Sequence, residues 1–117
     1  MGPIEVNERV LYLVALRPEP EYEEKFNVWY EREHIPELLA CPGFESARRY
    51  RSLDGDPPYI AIYDVESMDA FKSAEYKKLS ARTPDELSPL AREVLLHRER
   101  VILSKYSLIS EARNDNS

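Results

Sequence analysis

His34 is the residue of this chain best suited to proton chemistry, because imidazole changes charge near neutral pH. It lies four residues after Tyr30, five after Trp29 and eight after Phe26, so it falls on or beside the apolar face of a helix. Two readings follow: a helix-terminal histidine bonding a free carbonyl, or a general acid or base facing a pocket. A helix C-terminus raises a histidine pKa and apolar burial lowers it, and either leaves a group that titrates near neutrality. Tyr30 either packs or orients His34 by a hydrogen bond across one helical turn. Trp29 reads as core or as a ligand contact. Asn27, a polar residue among aromatics, reads as a cap, a solvent-facing residue or a substrate contact.

The strand that follows carries Arg48-Arg49-Tyr50. Regular alternation puts Phe44, Ser46, Arg48 and Tyr50 on one side, and Glu45, Ala47, Arg49 and Arg51 on the other. A guanidinium on the helix-covered side needs an anionic partner. For Arg48 that is Glu33, or else the carboxylate or enolate of a substrate. Arg49 and Arg51 then face solvent or a second subunit. Tyr12 and Tyr63 belong to central strands, where their hydroxyls either find partners in the core or polarise a carbonyl in a pocket. The candidate set is therefore His34, Tyr30 and Arg48 for chemistry, with Tyr12, Asn27, Trp29, Tyr50 and Tyr63 for substrate binding. His97 reads as a surface or helix-end residue, and Cys41 beside Pro42 as packed in a turn. Two distant histidines with no acid at ligand spacing give no metal signature, and three glycines give no phosphate loop.

The elements that must position these residues follow from periodicity. Residues 9–16 (RVLYLVAL) are short, apolar and β-rich, and Pro18 and Pro20 bound them. From Glu21 the spacing becomes that of an amphipathic helix, with Pro20 in its first turn and a stop or kink expected near Pro36. Pro42-Gly43 is a turn, and strands are expected over 44–52 and 59–65, joined as a hairpin. Ser67 caps a helix from Met68. Thr83-Pro84-Asp85-Glu86 makes a capping box for a helix carrying Leu87, Leu90, Ala91, Val94 and Leu95. A last strand is expected over 101–108. This βαββαβ order predicts an α+β, ferredoxin-like sandwich with an antiparallel sheet. The strands are apolar on both sides. One helical layer covers one face, and a second copy of the chain is the simplest cover for the other.

At 117 residues the chain reads as one domain over 1–110, with a polar tail over 111–117 expected to fray. A formal net charge of −6 argues against nucleic acid as a partner. No apolar run is long enough to span a membrane, and no leader pattern stands at the N-terminus. A single cysteine excludes an internal disulfide and fits a reducing, cytoplasmic setting.

The pattern Phe26-Asn-x-Trp-Tyr-x-x-x-His-Ile-Pro-x-Leu-Leu-x-x-Pro-Gly-Phe44, followed by Arg48-Arg49-Tyr50 and Pro58-Tyr-x-Ala-x-Tyr63, resembles small EthD-like bacterial proteins of the dimeric α/β-barrel superfamily. The resemblance implies a homodimer whose two sheets pack into a barrel, with a pocket in each protomer between its sheet and its first helices. It implies cofactor-independent proton-transfer chemistry, as in lyases, isomerases, cyclases and monooxygenases, on an aromatic, polyketide-like or lactone substrate. Two alternatives stay open: a non-catalytic ligand-binding or stress protein of the same fold, and a haem-handling protein with His34 as axial ligand.

Overall fold

The computed structural model describes residues 8–114. Residues 1–7 and 115–117, which the expected domain and tail include, lie outside them. Four antiparallel strands form one sheet in the order β2-β3-β1-β4: β1 Val10–Pro18, β2 Phe44–Arg51, β3 Tyr59–Val65 and β4 Arg98–Ser107. This is the expected ferredoxin-like order. Apart from Ala15, the buried side chains make one cluster between a single face of the sheet and the helices. On β1 and β3 the alternation is the cause. Tyr12, Val14 and Leu16 pair with Tyr63, Ala61 and Tyr59, and all six are buried.

The first helical run, α1, does not stop at His34. It begins as a 3-10 turn (Pro20–Tyr22), becomes α-helix (Glu23–Trp29), widens into a π turn (Tyr30–His34) and returns to α-helix (Ile35–Leu39). Ile35 keeps helical geometry, and its N–H donates to the carbonyl of Tyr30, five residues back. Pro36 thus disturbs the hydrogen-bond ladder without ending the helix. The expected boundary fails because a wider turn is an alternative to a break.

Two other boundaries moved. The capping box at Thr83 and Glu86 forms, but it closes only a 3-10 turn (Pro84–Glu86). Helix α3 (Pro89–Leu96) starts later, with the Ser88 side chain accepting from the Ala91 N–H at 3.0 Å. Pro89 forces Ser88 into extended geometry (ψ 157°), so the two segments cannot fuse. Ser67 does cap at Met68, but a 3-10 turn (Met68–Lys72) follows; Ser73 then caps helix α2 (Ala74–Ser80). Strand β4 begins at Arg98, earlier than the apolar run suggested.

Strand β2 enters through a tight turn at Gly43, whose φ is +88°. A Cβ there would lie 2.7 Å from the Cβ of Ala70. Both the left-handed backbone and the close approach require glycine. Gly43→Ala is expected to lower unfolding stability by about 1–3 kcal/mol in urea titrations. An unchanged midpoint would show that the turn relaxes freely.

Candidate functional site

A cavity of about 480 Å³ lies between the β1–β4 side of the sheet and the helices. Its walls include Tyr12, Trp29, Tyr30, His34 and Tyr63, all expected from the sequence, together with Leu38, Tyr76, Arg82, Arg98, Arg100 and Leu103. The volume falls in the ordinary range for small-molecule sites.

His34 leaves the π turn of α1 and stacks on the Trp29 indole, with ring centroids 4.6 Å apart and planes 21° apart. The edge of Tyr30 meets it at 4.9 Å. Its Nδ1 is buried and has no protein hydrogen-bond partner. Burial and the surrounding guanidiniums of Arg82, Arg98, Arg100 and Arg49 push the His34 pKa down from 6.5 to about 3. The imidazole is therefore neutral at physiological pH and not poised near neutrality. The Trp29 Nε1 is also buried without a partner. Such a group costs about 1–3 kcal/mol unless water or a ligand satisfies it.

Tyr30 does not hydrogen-bond His34, as one reading of the sequence had it. The Tyr63 hydroxyl donates to the Tyr30 oxygen at 3.0 Å, so the Tyr30 proton remains available to another acceptor. Burial pushes both phenols up, and Tyr12 as well. All three stay protonated and can act only as neutral donors.

Three expected residues lie elsewhere. Strand β2 has an irregularity at its start: Phe44 pairs with Val65 and Ser46 with Asp64, so Glu45 is extra. One extra residue reverses the alternation beyond it. Arg48 and the 46%-exposed Tyr50 consequently point to the outer face of the sheet, away from the cavity. Arg49, assigned to the outside by simple alternation, turns inward. Its guanidinium sits 4.4 Å from the Tyr30 ring centre, bonds Glu31 at 2.8 Å and reaches Asn27 Oδ1 at 2.6 Å. Asn27 also donates to the Tyr59 hydroxyl at 3.1 Å, and Tyr59 donates to Glu23 at 2.6 Å. Asn27 and Arg49 thus belong to a network that fastens α1 to the sheet. Glu33 accepts from Ser88 at 2.5 Å rather than pairing with Arg48.

The cations that line the cavity come from parts of the sequence read as helix end and loop. Arg82 makes a two-point pair with Glu37, at 3.2 and 2.8 Å. Arg98 and Arg100 occupy one side of β4, and the available signal was their alternate spacing, which only an earlier strand start makes meaningful. His97 ends α3, stacks on Tyr22 at 3.7 Å and bonds Glu19 at 2.8 Å, a helix-end role. Cys41 is buried, and burial raises its thiol pKa. Among the described residues no three side chains are gathered as metal ligands, and no helix is long and apolar enough to cross a membrane.

Residues 9–87 match the family described as a domain of unknown function, DUF4286. No curated protein matches the sequence significantly. Among solved structures, a variant of SnoaB, a cofactor-independent oxygenase from Streptomyces nogalater, is similar with a TM-score of 0.66 and 20% identity, over 92% of this chain and 99% of that one. HapK from Hahella chejuensis is similar with a TM-score of 0.61 and 12% identity, over 90% and 97% of the two chains. An EthD family protein from Bacillus halodurans C-125 has a TM-score of 0.55 and 14% identity, over 86% and 99%. The chain thus shares the ferredoxin-like α+β fold of these proteins.

The depressed His34 pKa has a measurable consequence. Between about pH 6.5 and pH 3 the unfolded chain binds a proton at His34 that the native state refuses, so native stability falls as pH drops through that window. His34→Gln removes this contribution. The difference in urea midpoint between the wild type and that variant should be constant above pH 7 and shift against the wild type as pH falls to 4. A difference independent of pH over that range would mean that the imidazole is not held neutral.

Proposed function

We propose that this chain, which belongs to the DUF4286 family, is a small-molecule enzyme that moves a proton on an aromatic substrate, with His34 as the proton acceptor. The observation that carries the reading is one neutral imidazole, stacked on an indole and in edge contact with a phenol, in a ligand-sized cavity. The similarity to SnoaB, described as a cofactor-independent oxygenase, agrees with this reading and adds a reaction class without fixing it.

The chemistry is abstraction of a proton from carbon beside a carbonyl. The Tyr30 hydroxyl, already accepting from Tyr63, is placed to donate to the carbonyl oxygen as it becomes an enolate. Neutral His34 takes the proton. Burial and nearby guanidiniums oppose the imidazolium. A substrate that turns anionic as it gives up its proton offsets those positive charges, so the transfer becomes favourable only with substrate in place. No resident cofactor is needed for this step.

The test uses 2-tetralone, an aromatic ketone with acidic C–H bonds, in D₂O. The protein should accelerate exchange of deuterium into its C1 position, read by proton NMR. His34→Ala should fold and lose this acceleration by about 10²–10⁴-fold, the usual worth of one positioned acid or base. Binding of the ketone without exchange would replace the enzyme by the ligand-binding reading. A Soret shift on haem addition that disappears in His34→Ala would replace proton transfer by axial ligation.

We also infer a homodimer through the outer face of the sheet. Leu11, Leu13, Ile60 and Ile62 lie on that face, and Ile102 and Tyr106 beside them are 38% and 51% exposed. A second sheet laid on this surface should bury more than about 1,200 Å² in total. Light scattering at micromolar concentration should report a dimer, and Leu13→Glu a monomer. A wild-type monomer at all concentrations would remove the interface.

A further inference from the structure

We propose that Arg98 and Arg100 form a carboxylate anchor on the β4 wall of the cavity, which makes the ligand a flat aromatic monocarboxylate. The proposal rests on the reading of this cavity as a small-molecule site and adds the chemical class of its occupant.

The register of β4 against β1 places both guanidiniums. Arg98 pairs with Pro18 and Arg100 with Leu16, and Leu16 lies on the cavity side of the sheet. Their Cα atoms are about 6.6 Å apart along the strand, two residues of rise. That separation lets two long side chains close on one carboxylate from either side. Glu99 between them belongs to the opposite face, where Arg17 holds it at 2.5 Å. Among the described residues no carboxylate lies within ion-pair distance of Arg98 or Arg100.

The other arginines near the core are satisfied. Arg17 binds Asp56 and Glu99, Arg49 binds Glu31, and Arg82 binds Glu37. Arg98 is half-buried, and both its burial and the neighbouring Arg100 disfavour its charge. Two adjacent like charges facing a cavity repel each other and lack the anion that would make the arrangement favourable. A guanidinium binds a carboxylate through parallel N–H···O bonds, so the pair is chemically suited to that group. The rest of the wall specifies the other end of the ligand. Trp29, Tyr12, Tyr63 and Leu103 provide flat and apolar surface, and about 480 Å³ accommodates two or three fused rings.

The experiment compares two probes that differ in charge alone at one end, 2-naphthoate and 2-naphthalenemethanol, by isothermal titration calorimetry at low ionic strength. The wild type should bind the acid at least about tenfold more tightly than the alcohol, the value of one charge-assisted interaction. The Arg98→Gln, Arg100→Gln double variant should bind both probes equally, with the affinity for the alcohol unchanged. Arg100 is exposed, so Arg100→Gln alone retains the fold, checked by circular dichroism, and should already reduce the preference. A preference that survives in both variants overturns the anchor. Equal binding of the two probes by the wild type overturns the anchor while the aromatic cavity stands. If neither probe binds, the small-molecule reading of the cavity falls with it.

Discussion

The geometry of the site depends on how α1 accommodates Pro36. A proline inside a helix lacks the N–H that would bond the carbonyl four residues earlier, and its ring crowds that carbonyl. Here the chain answers with a π turn over Tyr30–His34. Phe26, Tyr30, His34 and Leu38, spaced four apart, all turn toward the interior of the fold. In an unbroken α-helix each four-residue step over-rotates by about 40°. The wider turn takes back part of that drift. It keeps His34 over the sheet, stacked on Trp29, where a regular helix would carry it round toward the flank. The imidazole position is therefore a property of the helix backbone, and the Arg49 network with Glu31, Asn27 and Tyr59 fastens that helix to the sheet.

The same economy appears in the sheet, where single extra residues decide which charges face the cavity. At Glu45 the extra residue turns Arg49 inward and Arg48 outward. Where β1 and β4 pair, a shift at Ala15/Leu16 skips Val101, which allows Arg98, Arg100, Leu103 and Lys105 to share one face. Lys105 then lies over the Phe71 ring at 4.6 Å and the Tyr12 ring at 5.3 Å, beside the aromatic wall. Without the shift, Leu103 and Lys105 would sit on the face opposite the two arginines.

These irregularities explain what could be read from the sequence. The four strands, their order and the aromatic face of α1 follow from period and composition, because burial of apolar side chains repeats over many residues and tolerates local error. Trp29, Tyr12 and Tyr63 were identifiable because they lie on regular stretches of that pattern, and Tyr30 and His34 because the π turn leaves their four-residue spacing on the apolar face. Arg48, Tyr50 and Arg49 were misplaced because alternation carries no memory of a bulge: one unpaired residue inverts everything beyond it. Arg98 and Arg100 were missed for a related reason. A charged Arg-Glu-Arg run at the end of a helix looks solvated until the strand is known to start there.

Charge is distributed against the average of the chain. The protein carries a formal net charge of −6, yet its cavity is lined by Arg82, Arg98 and Arg100 with a neutral imidazole among them. Only Arg82 has its counter-ion in place. A net acidic chain with a cationic cavity wall repels polyanions, while a small monoanion that enters meets a local field opposite to the global one. Burial first, and then the nearby guanidiniums, keep His34 unprotonated, and an anion would cancel the second of these. Binding of a negative group in the cavity and proton uptake by His34 are thus thermodynamically coupled, each favouring the other.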